Sequence, residues 1–306
     1  MIGDFTNFFD CLDHRYLKQQ LIEVLDAQVL PEDYYAVYKN VTKFSYVERD
    51  QLLELNGLGK TEKDLRTLNN KKVIISKQLF NKNRSALVHK NSEDKGVPQG
   101  SPISAVMANI YMISGDKTIN DYITSINGFY MRYSDDFIVV IPHEKEYKEQ
   151  LETVLSFLKD IPNLELEQSK TQIFEVKNGN ILNIGRIVLP DANDSRKEIS
   201  FLGFTFDGEK IRLRGKTIGK YYYRMHRKAK SIAKNGGGGI DKLYMKYSIR
   251  GAYGKEGNFF TYVNNAEKAY GVNEHIQHDL EHHMNKIRKT IKKNRKQIED
   301  ENKKMS

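Results

Sequence analysis

The feature that most constrains this chain is a pair of apolar runs, NGFYMRY (127–133) and FIVVI (137–141), divided only by Ser134, Asp135 and Asp136. Aromatic and β-branched runs with so short a polar break predict a β-hairpin with two carboxylates at its tip. Adjacent carboxylates repel one another, so two of them between apolar strands ask for a cation. Taken alone, a Ser-Asp-Asp turn is also ordinary turn chemistry. Asp4 poses the same question. It opens DFTNFFD, an aromatic stretch that reads as a strand, where a carboxylate is costly unless paired, hydrogen-bonded or on a metal. By itself it reads more readily as a turn or cap residue.

Around these carboxylates the chain mixes helix and strand. Residues 14–40 have Leu17, Leu21, Ile22, Leu25 and Leu30 spaced for one helix face, and 102–113 form an apolar segment of helical length. Residues 45–95 are polar, with loop signals at NGLGK and KNSEDKG. An amphipathic helix is expected over 144–160 and a strand over LELEQSKTQIF (164–174). In SFLGFTFDGEKIRLR (200–214), two strands joined by a type I′ turn at Asp207-Gly208 are expected. Beyond 217 the chain reads as helices, over IGKYYYRMHRKAKSIAKN and then 240–249, 259–270 and 274–297, with a break at Gly236 to Gly239. The expected fold class is α+β, followed by an all-helical basic module.

Charge follows the same division. Residues 1–208 carry 25 basic and 30 acidic side chains, whereas 209–306 carry 24 basic and 10 acidic. A block of that kind is the footprint of a surface that meets phosphates, or else a solvated lysine-rich tail. The single cysteine excludes a disulfide framework and a cysteine-based zinc site. No apolar run nears the roughly 18 residues of a membrane span, and MIGDFTNFF lacks a signal-peptide layout. A cytoplasmic protein without membrane contact is expected.

GVPQGSPISAVMANIYM (96–112) adds a rigid loop through Gly96, Pro98 and Gly100, with Ser101 and Pro102 as N-cap and first helical residue. Gly100 allows close backbone approach, and Gln99 offers both a donor and an acceptor. Together these segments resemble the reverse transcriptases, specifically the bacterial group of intron, retron and phage-defence enzymes. DFTNFFDCLDH matches the first carboxylate motif, PQGSPISAVMANIY the loop-helix motif and RYSDDFIVV the double-aspartate hairpin. LEQSKT matches the lysine motif and FLGFTF the primer-grip hairpin, all in family order.

The resemblance implies a right-hand polymerase palm over 1–215, with remnant fingers, and a helical basic thumb over 216–306. It implies two Mg²⁺ or Mn²⁺ ions held by Asp4, Asp135, Asp136 and the carbonyl of Phe5, with Lys170 protonating pyrophosphate. Phe9 matches the bulky residue that excludes a ribose 2′-hydroxyl, and Gln99 and Gly100 would meet the incoming nucleotide. Phe201, Leu202 and Gly203 would grip the primer. Lys220, Arg224, Arg227, Lys228 and Lys230 would follow a duplex nucleic-acid backbone. The implied partners are an RNA template, a DNA primer and deoxynucleoside triphosphates.

The family normally carries a fingers region ahead of its first aspartate, but only Met1, Ile2 and Gly3 precede Asp4. A fragment is therefore expected, with a separate fingers segment or a noncoding RNA as further partners. LYMKYS…GNFFTYVNNAEKAYG looks most like defence-associated members, which suggests an antiviral setting. Rival readings are a non-polymerising nucleic-acid binder, a template-independent nucleotidyltransferase and, disfavoured by Phe9, an RNA-dependent RNA polymerase. His275, His278, His282 and His283 have partial metal-ligand spacing but read as an exposed helix face.

Overall fold

In the computed structural model, which describes residues 1–192, 195–234, 239–252, 258–271 and 280–305, the runs around Ser134 form the expected antiparallel hairpin. Phe129–Tyr133 pairs with Asp136–Val140. Ile2–Gly3 joins the far edge of Asp136–Val140, setting Ile2 opposite Ile138 and Gly3 opposite Phe137. Alternation along the central strand buries Phe137 and Val139 on one face.

Position 3 has room only for glycine. A Cβ there would stand 2.3 Å from Cζ of Phe137, whose ring is fully buried and has nowhere to go. Gly3→Ala is therefore expected to cost about 1–3 kcal/mol, the usual range for overpacking. A urea unfolding midpoint checks this, and an unchanged midpoint would mean that the ring moves freely.

By packing, the chain divides into Met1–Thr171 and Gln172–Ser306. In the first unit the helix Pro102–Ser125 backs the hairpin and buries Met107, Tyr111, Met112, Ile119 and Ile123. It runs well past the apolar segment 102–113, because Ile119 and Ile123 continue the buried stripe while Lys117 and Asp121 pair on the outer face. The expected single helix over 14–40 is two helices, His14–Val24 and Glu32–Thr42. Pro31, with no amide hydrogen to continue a helix, stands at the N-cap of the second, and Asp26 takes a left-handed φ of 48° between them. The polar stretch 45–95 is also more ordered than its loop signals suggest. Helices Arg49–Leu55, Glu62–Asn69 and Lys77–Leu87 lie between the paired strands Ser45–Val47 and Val88–Lys90. Each helix buries one leucine, Leu53, Leu68 or Leu87, too few for a period to stand out. The amphipathic helix over 144–160 is present as Tyr147–Lys159, burying Leu151, Val154 and Leu158.

In the second unit, residues 199–213 form three strands rather than two. Phe201 pairs with Phe204 across a two-residue turn at Leu202 and Gly203, whose φ values are 45° and 94°. Two positive φ values are what a tight hairpin requires, but leucine is disfavoured there, so the sequence hides the turn. The Asp207-Gly208 signal marks a four-residue loop, closed by Phe206 against Ile211 and by Asp207 Oδ1 accepting from the amides of Glu209 and Lys210.

The helix Gly215–Lys234 buries Tyr221, Met225, Ala229 and Ile232 at helical spacing. Leu213 of the third strand packs in one cluster with Tyr221, Phe260 and Val263. The strands expected to close the palm before 216 thus pack with the basic helices. Ile240–Tyr247 and Phe259–Tyr270 follow as expected, and His283–Met305 ends the described chain. His275 and His278 lie outside the described residues. His283 is buried rather than exposed, with Nδ1 donating to the Leu280 carbonyl at 2.6 Å and Nε2 accepting from the Ile249 amide. Burial pushes its pKa down, so it serves as a neutral buried connector. Among the described residues, no helix is long and apolar enough to cross a membrane.

Candidate active site

Asp4 directly follows the strand Ile2–Gly3, and neighbours on both sides fix its backbone. On one side lies Asp136–Val140, and continuing that antiparallel register brings Asp4 beside Asp136. On the other, the Glu167 amide donates to the Asp4 carbonyl at 2.8 Å and the Thr6 amide donates to the Glu165 carbonyl at 2.9 Å, around a Phe5–Leu166 bridge. Phe5 is buried and packs its ring on Phe8 and Phe137. These contacts tie down a segment near a chain end, where an untethered backbone frays.

The stretch expected as one strand over 164–174 contributes the Leu166 bridge and, at its end, Phe174, the first residue of the paired strand Phe174–Lys177. Between the two it turns, the amides of Lys170 and Thr171 donating to the Glu167 carbonyl. The turn folds Lys170 back onto Asp4, where Nζ donates to Oδ2 at 2.8 Å. That hydrogen bond is the main cause of a raised Lys170 pKa, partly offset by desolvation, with the charges of Asp4, Glu167 and Asp135 adding to it. The Asp4 side chain is only 19% exposed, and its Oδ1 is buried with no hydrogen-bond partner among the described residues. Such an orphaned carboxylate oxygen is costly unless a cation meets it.

At the hairpin tip, Tyr133 and Asp136 are the last paired residues, and Ser134, at a φ of 60°, and Asp135 make the turn. A network absent from the sequence reading supports it. Arg132 grips Asp116 of the long helix in a fork, Nε to Oδ1 at 2.9 Å and Nη2 to Oδ2 at 2.6 Å. Its Nη1 donates to the Ser134 carbonyl at 2.7 Å, and the Tyr130 hydroxyl donates to Asp116 Oδ1 at 2.7 Å. Burial beside the Asp116 carboxylate holds the Tyr130 hydroxyl un-ionised, its pKa well above the usual tyrosine range. The one available signal was a basic residue inside a strand otherwise made of Phe, Tyr and Met.

The loop-helix motif meets the first motif through the backbone. The Val97 amide donates to the Phe9 carbonyl, and the Gly96 amide to that of Leu12. His14 Nε2 lies 2.8 Å from the Gly96 carbonyl. Phe9 is half-buried, its ring edge-on to Phe8 at 5.3 Å, while Gln99 is exposed two residues beyond the Val97 bond. Gly100 has a φ of 91° in open space, so backbone conformation rather than crowding selects glycine there. Ser101 occupies the N-cap position as expected, but its side chain makes no capping bond.

Comparison with known proteins bears on this site. Residues 59–206 match the profile of the family described as reverse transcriptase (RNA-dependent DNA polymerase). That segment is similar to the reverse transcriptase domain. None of the curated protein sequences matches the chain. Among solved structures, apo telomerase from Candida tropicalis is similar at 14% identity and a TM-score of 0.41, covering 96% of this chain and 49% of that one. Telomerase from Candida albicans with a TWJ fragment of telomeric RNA is similar at 14% identity and a TM-score of 0.39, covering 80% of this chain and 36% of that one. The chain thus spans less than half the length of either telomerase.

The matched segment includes Gln99, Gly100, Asp135, Asp136, Lys170 and Phe201 to Gly203. Asp4, Phe5 and Phe9 precede the matched segment, and the Lys170–Asp4 hydrogen bond links them to it. Past its end, the Arg214 amide donates to the Gly203 carbonyl at 2.8 Å, which fixes the tight turn to the start of the basic helix. On that helix Lys220, Arg224, Arg227, Lys228 and Lys230 are all exposed, and the Arg227 guanidinium lies 5.9 Å above the Tyr223 ring.

Proposed function

We propose that the chain is an RNA-directed DNA polymerase, a reverse transcriptase that adds deoxynucleotides to a primer 3′-hydroxyl by two-metal phosphoryl transfer. The observation that carries this reading is Asp4, held beside the hairpin carboxylates with one oxygen on Lys170 and the other buried without a partner. Among the described residues, no three acidic, histidine or cysteine side chains converge tightly enough to enclose an ion by themselves. Magnesium is commonly held by one or two carboxylates together with substrate phosphates. The donor set fits that pattern, with Asp4 Oδ1, Asp135, Asp136 and the Phe5 carbonyl as ligands for Mg²⁺ or Mn²⁺. When bound, the ions would acidify the primer 3′-hydroxyl and neutralise charge on the triphosphate.

The chain's own residues supply the rest. The primer oxygen bonds to the α-phosphorus, the α–β bridging bond breaks, and pyrophosphate leaves. Lys170, kept protonated beyond its usual range by Asp4, gives its proton to the departing pyrophosphate, and the hydroxyl proton passes to solvent. Gln99 and Gly100 meet the nucleotide from the loop tied to Phe9. Phe201, Leu202 and Gly203 hold the primer strand, and the basic helix tracks the backbone. The likeness of residues 243–248 and 257–271 to defence-associated members supports a role in anti-phage defence, which plating of phage on cells with and without the chain checks.

Primer extension tests the activity, with RNA-templated, DNA-templated and template-free arms. Extension confined to the template-free arm would favour a terminal transferase instead. Phe9 sets sugar choice in this reading. Phe9→Ala should raise the ratio of ribonucleotide to deoxynucleotide kcat/KM about tenfold or more, by opening space beside the 2′-carbon. An unchanged ratio would leave Phe9 as a core aromatic only.

A further inference from the structure

Within the second unit a groove of about 860 Å³ opens beside the helix Gly215–Lys234. Five cationic side chains line it, namely Arg214, Lys216, Lys220, Arg224 and Lys246, and no acidic residue does. None of the five has a carboxylate partner among the described residues. Lys216, Lys220 and Arg224 repeat every four residues, so they stack on one face of the helix. Like charges at that spacing destabilise a helix, and the row therefore has a use for bound anions.

Aromatic side chains complete the wall, with Tyr247, Phe259 and Tyr262 beside the cations. Tyr262 is 41% exposed, yet its ring is held between Phe204 at 5.6 Å and Phe259 at 5.9 Å. A fixed, accessible ring next to a phosphate-attracting row is the pattern of a single-strand platform. Bases inside a duplex already stack on each other and cannot reach such a ring, whereas unpaired bases can.

We propose that this groove binds a single-stranded stretch of nucleic acid, with phosphates along the cation row and an unpaired base against Tyr262. The proposal rests on the reading that the chain acts on nucleic acid, but it does not involve the Asp4 carboxylates. It also sorts the basic helix. Lys220 and Arg224 face the bound strand, whereas Arg227, Lys228 and Lys230 do not line the groove.

The test is fluorescence anisotropy of the whole chain with a labelled oligouridine of about twelve nucleotides, without metal or nucleotides. That setting keeps it independent of polymerase activity, so a chain that binds the strand but extends no primer would separate the two readings. Lys220→Gln with Arg224→Gln should weaken binding at least about tenfold. The same pair should flatten the slope of log K against log salt by about 1.4, because two phosphates of the strand keep their counterions. Lys242→Gln with Lys268→Gln, both exposed and outside the groove, should change binding less than about threefold. Tyr262→Leu should weaken single-strand binding about fivefold or more while leaving duplex binding unchanged. Equal losses from both lysine-containing pairs would overturn the proposal in favour of diffuse charge. A duplex bound as tightly as the single strand, with the same dependence on Tyr262, would also overturn it. So would displacement of the strand by a nucleoside triphosphate at equal phosphate concentration.

Discussion

Arg132→Met should lower unfolding free energy by about 3 kcal/mol, because it leaves the Asp116 carboxylate facing a pocket built for a guanidinium. The Arg132 side chain is 6% exposed and Asp116 28%, so water can relieve the orphaned carboxylate only in part. Methionine fills much of the volume, and the loss therefore reports the charge and hydrogen bonds rather than a cavity. Urea unfolding measures it, and a loss under about 1 kcal/mol would show that the pair behaves as a surface ion pair.

Arg132→Lys separates stability from positioning. It keeps the charge but cannot hold both Asp116 oxygens and the Ser134 carbonyl together. Stability should fall by only about 1 kcal/mol, while the turn carrying Asp135 and Asp136 loses its backbone tether. In that variant the Mn²⁺ concentration giving half-maximal incorporation should rise, which a purely structural pair would leave unchanged.

The hairpin was legible because its signal is local. Phe129 to Val140 alternate over two short runs, and nothing distant competes with that pattern. The same holds for Tyr147–Lys159, whose buried leucines and valine recur at helical spacing. What escaped depends on partners far along the chain. Asp116 and Arg132 are ordinary charged residues until the long helix packs on the hairpin, and only then do they form a buried fork. Lys170 was named by the motif resemblance, but on an expected strand its link to Asp4 was hidden. A turn over 167–171, invisible to period-two counting, swings it onto Asp4. Leu202 hid the tight turn of the three-stranded sheet, since turn chemistry alone would have looked to the Asp207-Gly208 pair. Of the candidate site, the acidic residues and their order came from the motifs. The packing that brings Lys170 to Asp4 and braces the tip came from the fold.

Asp135→Asn should abolish nucleotide incorporation without unfolding the chain. Asp135 is half-exposed in a two-residue turn and carries no core packing. The amide keeps the shape of the carboxylate but not its charge, so the loss falls on cation binding and transition-state electrostatics. The expected fall in kcat is at least about a hundredfold, by analogy with removal of one preorganised electrostatic group, with the urea midpoint within experimental scatter of the parent. The most direct measurement is extension of a DNA primer on an RNA template by parent and Asp135→Asn side by side, with Mg²⁺ or Mn²⁺. It is run on the chain alone and with a reverse transcriptase fingers segment supplied upstream. The parent is expected to extend the primer in at least one arrangement and Asp135→Asn in neither. Extension by Asp135→Asn within about tenfold of the parent, or no extension by the parent in either arrangement, would contradict the carboxylate assignment and the polymerase reading built on it.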